Sequence, residues 1–211
     1  MSSRHVAIFT RAPVAGKTKT RLIPLLGAEG AAYAQRVMTW HALEIASALP
    51  DAAVSLWCAD DAAHPFLQFC SQHFEVACLP QCDGDLGMRM ADCLQRLLAD
   101  HEQVLLTGSD CPAMTTADLA AAAAALDHAR MVFIPAEDGG YVLVGARRGG
   151  LEAGCFDSVA WSGTEVMAQT RRQLVNRGWR ATQEWLEMPA LWDVDTPDDF
   201  QRALAGQYLG E

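Results

Sequence analysis

Four cations crowd one short stretch of an otherwise acidic chain. Arg11, Lys17, Lys19 and Arg21 fall within eleven positions around Gly16, directly behind the apolar run 5–9. Backbone amides and cationic side chains converging behind a first strand suit a phosphate group. Asp110 follows a second apolar run, 104–107, and precedes Cys111-Pro112. A carboxylate at a strand end can hold Mg²⁺ or Mn²⁺ against a pyrophosphate, since hard cations choose carboxylate and phosphate oxygens. Asp193 and Asp195 flank Val194. Alternation along an extended segment puts both carboxylates on one side, where they can serve a metal or one can act as a general base.

Each motif has a plainer alternative. Gly16-Lys17-Thr18 matches the tail of a phosphate-binding P-loop, but Arg11 stands where that pattern needs its first glycine. The basic stretch could instead be a solvated turn. Asp138, in Glu137-Asp138-Gly139-Gly140-Tyr141, could face a ligand across its glycine pair or simply close a hairpin. Asp195 could cap the last helix, and Asp110 could be a turn residue before proline. Gln81, Gly84, Asp85, Gly87 and Arg89 suit the nucleobase or acceptor side, or else helix-start chemistry alone. Trp161, Ser162 and Thr164 suggest an acceptor-side loop. Cys111 as a nucleophile lacks a basic partner nearby.

These residues need elements to position them. Strands are expected at 5–9, 53–58, 74–79, 104–107, 131–135, 141–145, 181–187 (an edge) and 191–194. Helices are expected at 29–48, with Tyr33, Val37, Trp40 and Leu43 on one face, and at 65–72 and 86–99. Others follow Thr115 or Thr116, end near 175, and start at Thr196-Pro197. Strands alternating with helices imply one α/β domain over 1–211, with a mostly parallel sheet covered on both faces. In such sheets ligands bind beyond the carboxyl ends of the strands, where the charged loops fall.

Composition narrows the partners. Sixteen basic against 26 acidic residues leave a net charge of −10, which argues against broad nucleic-acid binding. No apolar run reaches membrane-spanning length and no signal peptide is evident, so a cytoplasmic protein is expected. Seven cysteines without a C-x-x-C pair read as reduced thiols.

The motifs together resemble the DUF2064 family of the GT-A-fold nucleotide-diphospho-sugar transferase superfamily. They are F-T-R-A-P with G-K-T-K-T-R-L at 16–22, G-D-L-G-x-R-M at 84–90, G-S-D-C-P at 108–112, D-G-G-Y at 138–141 and D-V-D-T-P at 193–197. The resemblance implies a GT-A, Rossmann-like, three-layer α/β/α fold. It also implies a transferase that takes a nucleotide or nucleotide-sugar donor, a small-molecule acceptor, and Mg²⁺ or Mn²⁺. Arg11, Gly16, Lys17, Lys19, Arg21, Gln81, Gly84, Asp85 and Gly87 would bind the nucleotide. Asp110, Asp193 and Asp195 would hold the metal, and Asp110, Asp138 and Asp195 would be catalytic. Many GT-A glycosyltransferases carry D-x-D after the fourth strand; here Asp110 stands alone, so a second ligand must come from elsewhere. Glycosyl transfer is the leading expectation. Nucleotidylyl transfer from a nucleoside triphosphate and a non-catalytic nucleotide-binding role are the alternatives.

Overall fold

The computed structural model describes residues 3–161 and 163–208, so Ser162 lies outside the described residues. The strands are β1 (Arg4–Thr10), β2 (Ala52–Cys58), β3 (Ala77–Pro80), β4 (Gln103–Gly108), β5 (Met131–Pro135), β6 (Tyr141–Arg147) and β7 (Trp185–Glu187). They form one sheet in the order β3-β2-β1-β4-β6-β5-β7. β1 pairs in parallel with β2 and β4, β2 with β3, and β5 with β7. β6 alone runs the other way, antiparallel to both β4 and β5. The turn at Asp138-Gly139-Gly140 reverses the chain, and the returning strand slots between β4 and β5.

The helices are α1 (Ile23–Ser47), α2 (Pro65–His73), α3 (Leu86–Leu98), α4 (Thr116–Ala125), α5 (Val166–Asn176) and α6 (Pro197–Ala205). Period-2 alternation sends Val6, Ile8, Leu56, Leu105, Val132 and Ile134 to one sheet face, with Leu43, Leu67 and Leu119 from α1, α2 and α4. It sends Ala7, Trp57, Leu106, Met131 and Phe133 to the other, with Leu94 and Leu174 from α3 and α5. The result is the three-layer α/β/α arrangement expected of the GT-A class.

Several boundaries differ from the sequence reading. Helical turns begin at Ile23 rather than 29, since Pro24 is tolerated in a first turn; the backbone breaks at Gly27 and resumes. Tyr33 is 64% exposed. The face of α1 that packs inward is Ala31, Ala34, Met38, Leu43 and Ala46, alanines that let the helix lie close with Met38 and Leu43 filling the core between them. β3 starts late because Phe74 closes α2 and Glu75 turns the chain at positive φ. Residues 191–194 form no strand. Past Ala136, which bridges Leu191, the neighbouring chain turns away, and the Val194 amide bonds the Asp110 carbonyl at 2.9 Å instead. Thr115 and Thr196 each close a capping box, with Asp118 and Asp199. No helix among the described residues is long and apolar enough to cross a membrane.

Candidate active site

The carboxyl ends of β1, β4 and β5 face one cleft of about 1120 Å³. That exceeds the ~300–1,000 Å³ usual for one small-molecule site, so it has room for more than one small ligand. Four buried polar side chains fix its floor. The Gln35 amide nitrogen on α1 lies 3.2 Å from Thr10, 3.1 Å from Thr39 and 3.0 Å from Ser109 and shares its two protons among their hydroxyls. Thr10 ends β1, and Ser109 follows β4, its amide bonding the Phe9 carbonyl at 3.0 Å. Their polar groups satisfy one another, which is what makes such burial tolerable.

The basic loop leaves this floor under restraint. Asp60 accepts from the Ala12 amide at 2.9 Å and the Asp61 amide at 2.9 Å. Burial opposes the charge on Asp60, but those amide donors, with Cys58 and Arg11, hold its carboxyl below the usual range. Arg11, Lys17, Lys19 and Arg21 all line the cleft. Arg11 and Lys17 are exposed and have no carboxylate at ion-pair distance among the described residues. Lys19 reaches inward. Its ammonium donates to Asp110 Oδ2 at 2.9 Å, Asp195 Oδ1 at 3.1 Å and the Val194 carbonyl at 2.7 Å. Arg21 donates to Asp195 Oδ2 at 3.2 Å.

A small separate core sets this register. Leu22, Met38, Trp192, Val194 and Ala203 pack together, with Leu22 and Val194 wholly buried. Burying Leu22 turns Arg21 and Lys19 toward the cleft, and burying Val194 turns Asp193 and Asp195 outward beside it. Gly108 completes the cluster. A side chain there would stand 2.6 Å from Asp110 Oδ1, so glycine gives the carboxylate room to fold back over the strand end.

Asp110, Asp193 and Asp195 can each place one carboxylate oxygen within 4.8 Å of the others. Burial raises the Asp193 carboxyl, and the charges of Asp110, Asp138 and Asp195 raise it further, to about 7. Burial would also raise Asp110, but Lys19 more than compensates and holds it low. Burial alone would lower Lys19, but Asp110 and Asp195 raise it. Three crowded carboxylates, two of which already hold an ammonium, are a donor set suited to a hard cation.

The remaining sequence candidates separate into two groups. Gln81 and Asp138 line the cleft. Asp138 Oδ1 also accepts from the Gly140 amide at 2.9 Å, so it shapes the β5–β6 turn as well as facing the cavity. Gly139 has φ +96°, and a side chain there would collide with the Thr164 carbonyl. That turn is clamped to the loop before α5, whose Met167 amide bonds the Gly139 carbonyl at 2.9 Å. Gly16, Gly84, Asp85 and Gly87 do not line the cleft. Gly16 and Gly84 take positive φ in turns, and Asp85 caps α3 by accepting from Met88 at 2.8 Å. Gly87 lies under the indole of Trp161, leaving no room for a Cβ. Trp161, Thr164 and Arg89 do line the cleft, with Tyr141, Leu86 and Met90. Cys111 is buried, and burial pushes its thiol up to about 12, which makes it a poor nucleophile. All seven cysteines are free.

Reading the sequence alone passed over Asp60 and the Gln35–Thr39–Ser109 group. Gln35 and Thr39 are one helical turn apart, and polar residues on a helix's inward face are the signal that could have found them.

Solved structures share this architecture. One from Desulfovibrio desulfuricans G20, described as a candidate nucleotide-diphospho-sugar transferase, is 29% identical with a TM-score of 0.83; the match covers 93% of this chain and 84% of that one. A CMP:2-keto-3-deoxy-manno-octonic acid synthetase complexed with CTP is 16% identical with a TM-score of 0.62, over 99% and 100% of the two chains. The 4-diphosphocytidyl-2C-methyl-D-erythritol synthase of Anaerococcus prevotii is 10% identical with a TM-score of 0.63, over 97% and 96%. At those last two identities the likeness is one of fold. No curated protein matches the sequence. A family model described as "Uncharacterized protein conserved in bacteria (DUF2064)" matches residues 42–163, more than half of the chain, and this protein belongs to that family.

Proposed function

We propose that this protein is a metal-assisted transferase acting on a nucleotide donor, with glycosyl transfer from a nucleotide-diphosphate sugar to a small acceptor as its reaction. One observation carries the reading: Lys19 of the basic loop lies directly against Asp110 and Asp195, so phosphate-binding cations and metal-binding carboxylates share one cleft. The fold and the nucleotide-dependent enzymes that share it support the same conclusion.

In this reading Arg11, Lys17 and Arg21 grip the donor's phosphates through charge-assisted hydrogen bonds. Asp110, Asp193 and Asp195 hold Mg²⁺ or Mn²⁺. When bound, such an ion neutralises charge developing on the leaving phosphates. Asp195 is held by two cations and is a poor candidate for proton transfer. Asp138 is exposed on the cleft wall and takes the acceptor hydroxyl proton as that oxygen bonds the sugar's anomeric carbon and the nucleoside diphosphate leaves. Tyr141, Trp161, Leu86 and Met90 supply an apolar surface for the acceptor or the sugar ring.

The density of cations in the loop also suits a triphosphate. That favours, as the second reading, nucleotidylyl transfer to a phosphorylated metabolite. Product analysis separates the two. Incubation with Mg²⁺ and panels of nucleotide sugars or nucleoside triphosphates, each with mixed acceptors, releases nucleoside diphosphate in the first case and pyrophosphate in the second. Donor binding without turnover in any panel, unchanged by Asp110→Ala, would leave only a non-catalytic nucleotide-binding protein.

A further inference from the structure

Lys19 sits in the acid cluster as a resident cation. An ammonium has three protons to donate, and Lys19 directs them to Asp110 Oδ2, Asp195 Oδ1 and the Val194 carbonyl. Its side chain is only 9% exposed. Arg21 takes Asp195 Oδ2, so both oxygens of Asp195 are already engaged. Mg²⁺ binds oxygen at about 2.0–2.1 Å. An ion on these oxygens would stand within about 4–5 Å of the Lys19 nitrogen, where like charges repel strongly in a partly buried site. Metal and ammonium therefore compete for the same carboxylates. The backbone carries a second sign. Lys19 has φ 45° and ψ 44°, a left-handed conformation that a non-glycine residue holds at a cost and that concentrates at switch positions.

We propose that Lys19 is a placeholder for the metal: it neutralises Asp110 and Asp195 while the cleft is empty, and it moves onto the donor's phosphates when they arrive, opening the cluster to the divalent cation. This rests on the reading of the cleft as a metal–nucleotide site and adds an order to it. The metal alone binds weakly, the donor's phosphates strengthen it, and by linkage the metal strengthens phosphate binding by the same factor. Lys19 then serves both states, so that metal is retained chiefly when there is a substrate to act on.

The test reads metal binding rather than turnover. Free Mn²⁺ is followed by electron paramagnetic resonance during titration of the wild type and of Lys19→Met, without nucleotide, after circular dichroism confirms that both are folded. The placeholder role predicts at least tenfold tighter Mn²⁺ binding in Lys19→Met, a gain in metal affinity from removing a side chain, and loss of that gain in Lys19→Met/Asp110→Asn. A variant-free measurement stands beside it. The Lys19 ammonium resonance in ¹⁵N NMR stays in place with millimolar Mg²⁺ alone and shifts when inorganic pyrophosphate is added with Mg²⁺. Equal Mn²⁺ affinity in wild type and folded Lys19→Met, or displacement of the ammonium by Mg²⁺ alone, overturns the placeholder while leaving the metal site standing. Failure of either protein to bind Mn²⁺, even with pyrophosphate, overturns the metal site and the placeholder together.

Discussion

The two ends of the cleft are built differently. At one end, Lys19, Asp110 and Asp195 are interlocked over buried Leu22 and Val194, and the Gln35–Thr10–Thr39–Ser109 group ties three elements beneath them. At the other end, Asp138, Tyr141, Trp161 and Arg89 stand on a turn, the first residue of β6, a loop and the first turns of a helix, joined by few polar contacts. Carboxylates braced by a buried core and a strand end keep their geometry, whereas groups on less restrained segments adapt to what they bind. On the proposed function, the contrast places the acid cluster on a fixed scaffold and substrate choice in the looser half.

The largest effect that would sharpen this contrast is expected at Asp110. Asp110→Asn keeps the shape and removes the charge. Turnover should fall about 10²–10³-fold, the usual cost of losing one preorganised electrostatic group, in protein that is still folded but melts lower because Lys19 loses a partner. Full activity in steady-state assays would break the link between the buried end and the chemistry. Next comes Lys17, which has no carboxylate at ion-pair distance among the described residues and so is available to a ligand. Lys17→Ala should weaken donor binding at least tenfold by calorimetry, since a hydrogen bond to a charged group is worth roughly 1.5–3 kcal/mol.

Gly139 probes the looser half. Gly139→Ala forces a side chain into positive φ and against the Thr164 carbonyl. It should cost about 1–3 kcal/mol in denaturant unfolding and raise acceptor KM while leaving donor affinity nearly unchanged. Equal losses in donor and acceptor binding would mean that the two ends are one unit. The smallest effect is a control at the other end of β1, away from the cleft. His5 is buried between Ser55, at 2.7 Å, and His101, at 3.1 Å. Burial, and then His101, lower its pKa to about 4. The folded value lies below the unfolded one near 6.5, so folding favours the neutral ring. Its contribution is complete above pH 6.5 and is lost as pH falls toward 4, by about 3 kcal/mol. His5→Gln should flatten that part of the stability profile in chemical denaturation and leave donor binding untouched.

Much of the buried end was legible in the sequence because its signals are local. A basic run behind an apolar strand, a lone aspartate before Cys-Pro, and two aspartates flanking a valine each carry their meaning within a few residues. So do the caps at Thr115 and Thr196. What was not legible depends on distant partners. Sequence spacing does not say that β6 returns between β4 and β5, or that residues 191–194 lose their pairing partner past Ala136. Nor does it show that Lys19 spends its charge on Asp110 and Asp195 rather than pointing freely into the cleft. Asp85 and Gly87 carried the helix-start signals that the plainer reading described, and they serve a cap and a packing contact beneath Trp161.

The most direct measurement is a crystal structure of the protein with Mn²⁺ and its nucleotide donor, the ion placed by anomalous scattering. The account predicts Mn²⁺ on Asp110 with at least one of Asp193 and Asp195, and the donor's phosphates on Arg11, Lys17, Lys19 and Arg21. A nucleotide bound away from the loop at 11–21, or Mn²⁺ bound without Asp110, would contradict it.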